Sequence, residues 1–168
     1  MKKLVLVIAL IGLGLFANAQ GKLKIGHINS NDLLLLMPER DSAEKKMTAY
    51  AKQLELQLTT MSSEYEKKLT NYEQNKANMT DLIRQDKEGE LMSLQRRIQD
   101  FQTKAQESLQ QREQELMKPL IDSANKAIKA VADEQGYTYV FDSSVGVMLH
   151  FPDGDDILPA VKKKLNIE

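Results

Sequence analysis

Asn75-Lys76-Ala77-Asn78-Met79-Thr80-Asp81 is the stretch on which the fold turns. Long charged segments lie on either side of it, and these seven positions decide whether they form one rod or fold back on each other. Thr80 or Asp81 can cap a new helix, since either side chain offers an oxygen to the orphan N–H groups of a first turn. A break here predicts an antiparallel hairpin, whereas continuity would leave one very long rod. The hairpin is preferred because β-type segments flank the pair, and only a return of the chain brings them together. Gly89 is a second, weaker turn position, so the tip is placed within residues 75–90.

Outward from the break, each segment carries an apolar stripe. On the first the stripe is Met47, Ala51, Leu54, Leu58, Met61, Tyr65, Leu69, Tyr72 and Met79. Its spacings of three and four residues are a coiled-coil rhythm with one stutter near Tyr65. The return stripe is Leu91, Leu94, Ile98, Phe101, Ala105, Leu109, Arg112, Leu116, Leu120, Ala124, Ala127 and Val131. No Gly or Pro interrupts residues 39–84, and a helix of that length reaches roughly 70 Å at 1.5 Å per residue. Pro38 opens the first helix, with Glu39 and Asp41 in the turn where the helix dipole favours negative charge. Pro119 predicts a kink near the base of the second, and Gly136 stands where a C-terminal cap belongs.

The flanks read as β-structure. Residues 22–28 alternate well enough for a strand, and Tyr137-Thr138-Tyr139-Val140-Phe141 is rich in aromatic and β-branched groups. Asp142-Ser143-Ser144 turns the chain, and Val145-Gly146-Val147-Met148-Leu149 is expected to return as a third strand. After Pro152-Asp153-Gly154, Asp155 or Asp156 caps a last helix whose stripe is Ile157, Val161 and Leu165. Three short strands expose edges and would be marginal alone, so pairing between subunits would solve the problem.

The beginning of the chain reads as a leader. Met1-Lys2-Lys3 is a positive start, residues 4–16 are an apolar run too short to span a bilayer, and Ala17-Asn18-Ala19 is a small-x-small cleavage pattern. Cleavage is expected before Gln20, delivering the protein to the periplasm. Without a cysteine there is no lipid anchor and no disulfide. Loss of Lys2 and Lys3 leaves 21 basic against 24 acidic residues. That balance gives no general attraction to nucleic acid and at most a weak contact with a membrane surface. With no Trp and four Phe, stability is expected from elongated packing or from other subunits.

The order of elements, together with particular residues, resembles the OmpH/Skp family of periplasmic chaperones. Those residues are Lys24-Ile25-Gly26-His27-Ile28-Asn29, Gly136-Tyr137-x-x-Val140-Phe141-Asp142, Val147-Met148-Leu149 and Asp156-Ile157-Leu158-x-x-Val161-x-x-x-Leu165. Pro119 and the 121–132 run are similar to the family's base helix. The resemblance implies an α+β fold of order β-α-α-α-β-β-α, in which a coiled-coil hairpin of residues 39–117 projects from a β-rich body of residues 20–38 and 118–168. It further implies a homotrimer sharing a barrel-like core, with Leu23, Ile25, Ile28, Tyr139, Val140, Phe141, Val145, Val147 and Leu149 building it. The implied activity is ATP-independent holding of unfolded outer-membrane β-barrel proteins, and the chain has no phosphate-binding Gly-rich loop.

For such a holdase, Leu56, Met61, Tyr65, Tyr72, Met79, Met92 and Leu109 are the candidate client-binding residues, being adaptable apolar groups set among charge. Those at strictly heptad positions compete with a simpler role as seam packing, so Leu56, Met92 and Leu109, off or marginal to the seam, are the better candidates. The arms depart from the basic character of familiar family members. Residues 39–80 carry seven acidic and seven basic side chains, and residues 81–118 carry eight and seven. No lipopolysaccharide site is therefore carried over, and client capture is expected to depend little on salt.

Enzyme readings find no support. His27 and His150 have no second ligand at metal spacing, and the Ser42 and Ser123 S-x-x-K patterns lack companion motifs. Asp153-Gly154-Asp155-Asp156 reads as turn and helix cap rather than a calcium loop. No cofactor or metal is expected. The competing function is a structural coiled-coil adaptor or spacer of the cell envelope that binds a folded partner.

Overall fold

In the computed structural model, which describes residues 23–167, the backbone leaves its first long helix at the polar break. Strand β1 (Ile25–Ile28) leads to a short helix α1 (Ser30–Leu36) and then to α2 (Pro38–Asn75). A 3-10 turn (Lys76–Asn78) precedes α3 (Asp81–Gln135). Strand β2 (Tyr139–Asp142), a second 3-10 turn (Asp153–Asp155) and α4 (Leu158–Leu165) complete the order. The expected leader and its cleavage point lie outside the described residues.

The chain divides into two units, Leu34–Ala124 and a second built from the chain up to Leu33 with the chain from Asn125 onward. In the first unit, Pro38 occupies the opening turn of α2, and Met37 before it is extended (φ −74°, ψ 123°), as a residue preceding proline must be. At the far end of α2, Met79 is again extended, and Thr80 Oγ1 accepts from the Ile83 N–H at 3.4 Å. Thr80 is thus the cap of α3. Gly89 lies within α3, so the weaker turn position is helical. The helix also continues through Pro119.

Helices α2 and α3 lie side by side and antiparallel. Tyr50 is hydrogen-bonded to Ser108 at 2.6 Å, Lys68 to Glu90, and Tyr72 to Glu88, so position rises on one helix as it falls on the other. Every residue of the two apolar stripes is buried or half-buried. Buried in this unit are Met61, Leu91 and Leu94 in the distal half, and Met37, Ala43, Leu120 and Ala124 toward the base.

In the second unit, β1 and β2 pair in parallel, Ile25 opposite Tyr139 through Ile28 opposite Asp142. Beneath the sheet lie Ile28, Leu33, Val131, Ile157 and Val161, each at most 2 % exposed. Gly136 ends α3 at φ +72°, a conformation other residues resist, and lets the Tyr137 N–H reach back to Ala132 O at 2.9 Å. Gly26 has a different reason. A Cβ there would stand 2.7 Å from the Tyr137 ring and 3.2 Å from Asp155 O, so only glycine admits both neighbours. The far edge of β1 is covered by an isolated bridge from His27 to Asp156 and by the Ile157 N–H donated to His27 O at 3.0 Å.

One expectation fails. Residues 145–149 form no strand, and the sheet has two strands among the described residues. A strand exists only through its ladder, and no described segment of the chain forms one with residues 145–149. Its side chains stand in solvent accordingly, Leu149 at 96 % exposure. Ile28, assigned to the β-rich body, is buried within its own chain at 2 % exposure.

Asp142 closes this unit. Its carboxylate accepts from the Ser30 hydroxyl at 2.5 Å, the Ser30 N–H at 3.2 Å and the Ser144 N–H at 2.9 Å. Burial pushes its pKa up, but the hydrogen bonds from Ser30 and Ser144 outweigh that and hold it below the ordinary value. A carboxyl depressed in the folded state contributes stability that is present above its unfolded value, near pH 4, and is lost as pH falls through the folded one. Between about pH 5 and pH 2, the melting temperature of Asp142→Asn should therefore fall less steeply than that of the parent. Parallel melting curves across that range would exclude this role.

Candidate functional site

The described residues contain no group of His, Asp and Glu side chains placed to hold a metal ion. What the surface offers is apolar groups without intramolecular partners. On the helix pair these are Leu56 on α2, 67 % exposed, and Met92 on α3, 62 % exposed, both outside the stripes. Tyr65, Met79 and Leu109 are half-buried at the margins of the seam. Tyr72 is half-buried too, and its hydroxyl donates to Glu88, which leaves only the ring face to make further contacts. Met61 is placed differently from its expected role. At 7 % exposure it packs between the helices, where its flexible thioether fills the distal seam.

Sequence periodicity missed a further pair. Leu82 and Ile83 are exposed in the first turn of α3, immediately after the Thr80 cap. Their signal was available, since they precede the first stripe residue, Leu91, and so have no seam to enter.

Charge is organised across the distal helices rather than spread evenly. Lys68 bonds Glu90 across the pair and lies 4.0 Å from Glu64 on its own helix, while Lys87 reaches Glu90 at 3.0 Å. The hydrogen bonds from Lys68 and Lys87 hold the Glu90 carboxyl below its usual range, and the Glu90 partner raises Lys68. The bond to Glu88 likewise raises Tyr72. These groups are open to solvent, where such pairs fix register more than they add stability. Part of the distal charge is thus partnered within the helix pair.

In the other unit the outer edge of β2 is unpaired. Along it Tyr139 and Phe141 stand exposed with ring centroids 6.3 Å apart, and Val140 between them is half-buried. Leu23 and Ile25 on the β1 side, and Val145 and Val147 after β2, are exposed as well. His27 is buried, its ring 4.1 Å from that of Phe151, and Nε2 donates to Pro152 O at 3.0 Å. This fastens the segment that follows residues 145–149 to β1.

Residues 24–165, which include both strands, all four helices and the exposed segment between β2 and α4, match the model of a family described as outer membrane protein (OmpH-like). The chain belongs to the OmpH-like family. Among proteins of known function it is similar to the chaperone protein Skp of Photorhabdus luminescens, 26 % identical over 169 aligned positions that cover 98 % of this chain and 99 % of that protein. The Skp of Pectobacterium atrosepticum is 28 % identical, covering 92 % of this chain and 94 % of its own. Among solved structures, an OmpH-like chain of Caulobacter crescentus superimposes with a TM-score of 0.71 at 17 % identity, over 88 % of this chain and 86 % of that one. The OmpH-like fold is therefore shared as a whole, mostly helical with a small strand pair. No helix among the described residues is long and apolar enough to cross a membrane.

The two kinds of apolar residue on the helix pair are separable by stability. Met61→Ala should lower it by about 2–4 kcal/mol, the cost of a buried cavity. Leu56→Ser and Met92→Ser should stay within about 0.5 kcal/mol of the parent, as surface changes do. Urea denaturation of the three variants makes the comparison, and a large loss at Leu56 or Met92 would mean that they pack rather than present.

Proposed function

We propose that this chain is an ATP-independent periplasmic holdase, exported by its leader, that assembles as a homotrimer. Helices α2 and α3 are its coiled-coil arms, and unfolded outer-membrane β-barrel proteins are held in the cavity between three of them. The observation that carries the reading is the coverage of the match. The relatives named chaperone protein Skp align with nearly the entire chain, so arm and body correspond together.

The geometry supports each part. In the body, the free edge of β2 and the exposed Val145, Val147 and Leu149 are complementary needs. A ladder between β2 of one copy and residues 145–149 of the next would satisfy the edge and cover the apolar side chains. Leu23, Ile25, Tyr139, Val140 and Phe141 would surround that contact. On the arms, Leu56 and Met92, with Tyr65, Met79 and Leu109 beside the seam and the ring of Tyr72, provide separated weak footholds. Three arms sum such contacts through effective concentration, and release proceeds one contact at a time. A protein that binds only the unfolded client acts by mass action on its aggregation, which requires no nucleotide.

Two measurements test the reading. Mixed with a urea-denatured outer-membrane barrel on dilution, the mature protein should suppress turbidity, whereas failure at several-fold excess would favour an adaptor for a folded partner. Phe141→Asp should convert the trimer to a smaller species in sedimentation. A variant that stays trimeric would remove β2 from the interface.

A further inference from the structure

Near the base of the helix pair, α2 and α3 line an open hollow of about 240 Å³. Its floor is Ala43, Met47, Leu116 and Met117. Ala43 contributes only a methyl group to that floor. The rim is Arg40, Glu44 and Glu113, and among the described residues none of the three is engaged in an ion pair. Some other charges on the arm are partnered, as Lys68 is with Glu90 and Arg112 with Glu115.

We propose that this hollow seats one aromatic side chain of a held polypeptide, with preference for a ring followed in sequence by positive charge. The size excludes most other ligands. Pockets for small molecules run to roughly 300–1,000 Å³, so this one suits a single side chain. Its chemistry selects among side chains. Two thioethers make favourable contacts at a ring edge, and the Arg40 guanidinium can lie against a ring face. With Arg40 so occupied, Glu44 and Glu113 are left as two free carboxylates at the mouth, complementary to a lysine or arginine in the following residues. The proposal rests on the holdase reading, and it adds to that reading a preference among segments of an unfolded chain.

The test uses the full mature protein and three labelled disordered peptides that differ at one place, carrying Phe-Lys-Lys, Phe-Glu-Glu or Ser-Lys-Lys. Fluorescence anisotropy should show the first binding about fivefold more tightly than either of the others, the scale of one or two exposed charge contacts. E44K/E113K should invert the order of Phe-Lys-Lys and Phe-Glu-Glu. E55K/E107K, which makes the same change of net charge away from the hollow, should leave the order as in the parent. An unchanged order in E44K/E113K, an inversion in both double variants, or equal binding of Ser-Lys-Lys would each overturn the proposal. The turbidity assay on the same preparations separates the two readings. Suppression by a parent that shows no peptide ranking removes the pocket and leaves the holdase, and absence of suppression removes the holdase itself.

Discussion

Parallel pairing of Ile25–Ile28 with Tyr139–Asp142 is the constraint on which the rest of the chain depends. Neighbouring parallel strands cannot be joined by a tight turn, so the chain between them must travel out and come back. Here the connection is more than a hundred residues, and nearly all of it is helix. The loop-closure cost of so long an excursion grows only slowly with length. It does require that the excursion be stiff and return in register, which explains the interest of the cross-helix bonds. Tyr50 to Ser108, Lys68 to Glu90 and Tyr72 to Glu88 keep nearly constant register along the pair. A slip of one turn would break all three and set Met61, Leu91 and Leu94 against different partners of the facing stripe.

The same constraint divides the apolar residues into two populations. Within each unit, a continuous set is satisfied by the chain itself, from Met61 and Leu94 in the helix pair to Val131, Ile157 and Val161 beneath the strands. A second set finds nothing to cover it. Leu56, Leu82 and Met92 are scattered singly along the helices, whereas Tyr139, Phe141, Val145, Val147 and Leu149 follow one another closely in sequence beside an open strand edge. Scattered and concentrated exposure have different physical consequences. Single groups bind weakly and reversibly, while a run of apolar residues beside unpaired backbone donors and acceptors invites a permanent partner. The proposed division between client-holding arms and a trimerising body follows from that contrast.

How much of this was legible in the sequence depended on whether the determining forces were local. The stripes, the Thr80 cap, Pro38 at the start of α2 and Gly136 at the end of α3 are consequences of helical period and backbone preference, and residues within a few positions of one another encode them. Leu56 and Met92 were legible as outsiders for the same reason. Residues 145–149 carry a strand-like composition, yet a strand is a relation between segments, and no described segment of this chain pairs with them. Gly26 looked like an ordinary strand glycine until Tyr137 and Asp155 were brought against it from more than a hundred residues away. Met61 was readable as either packing or contact, because a methionine on a stripe has the same spacing in both roles.

Balanced charge on the arms follows from the same logic of unmet needs. An arm that displays Leu56 and Met92 to water must avoid sticking to other arms, and a mantle of charge does this without fixed geometry. A strongly basic mantle would add long-range attraction to acidic surfaces. Here Glu90 is shared between Lys68 and Lys87, and Glu88 is taken by Tyr72, so much of the distal charge is neutralised within the arm. What remains for an approaching polypeptide is short-range contact with individual apolar groups. Selectivity on such a surface can come from places where an apolar recess and charge outside any ion pair coincide, as they do in the hollow bordered by Arg40, Glu44 and Glu113.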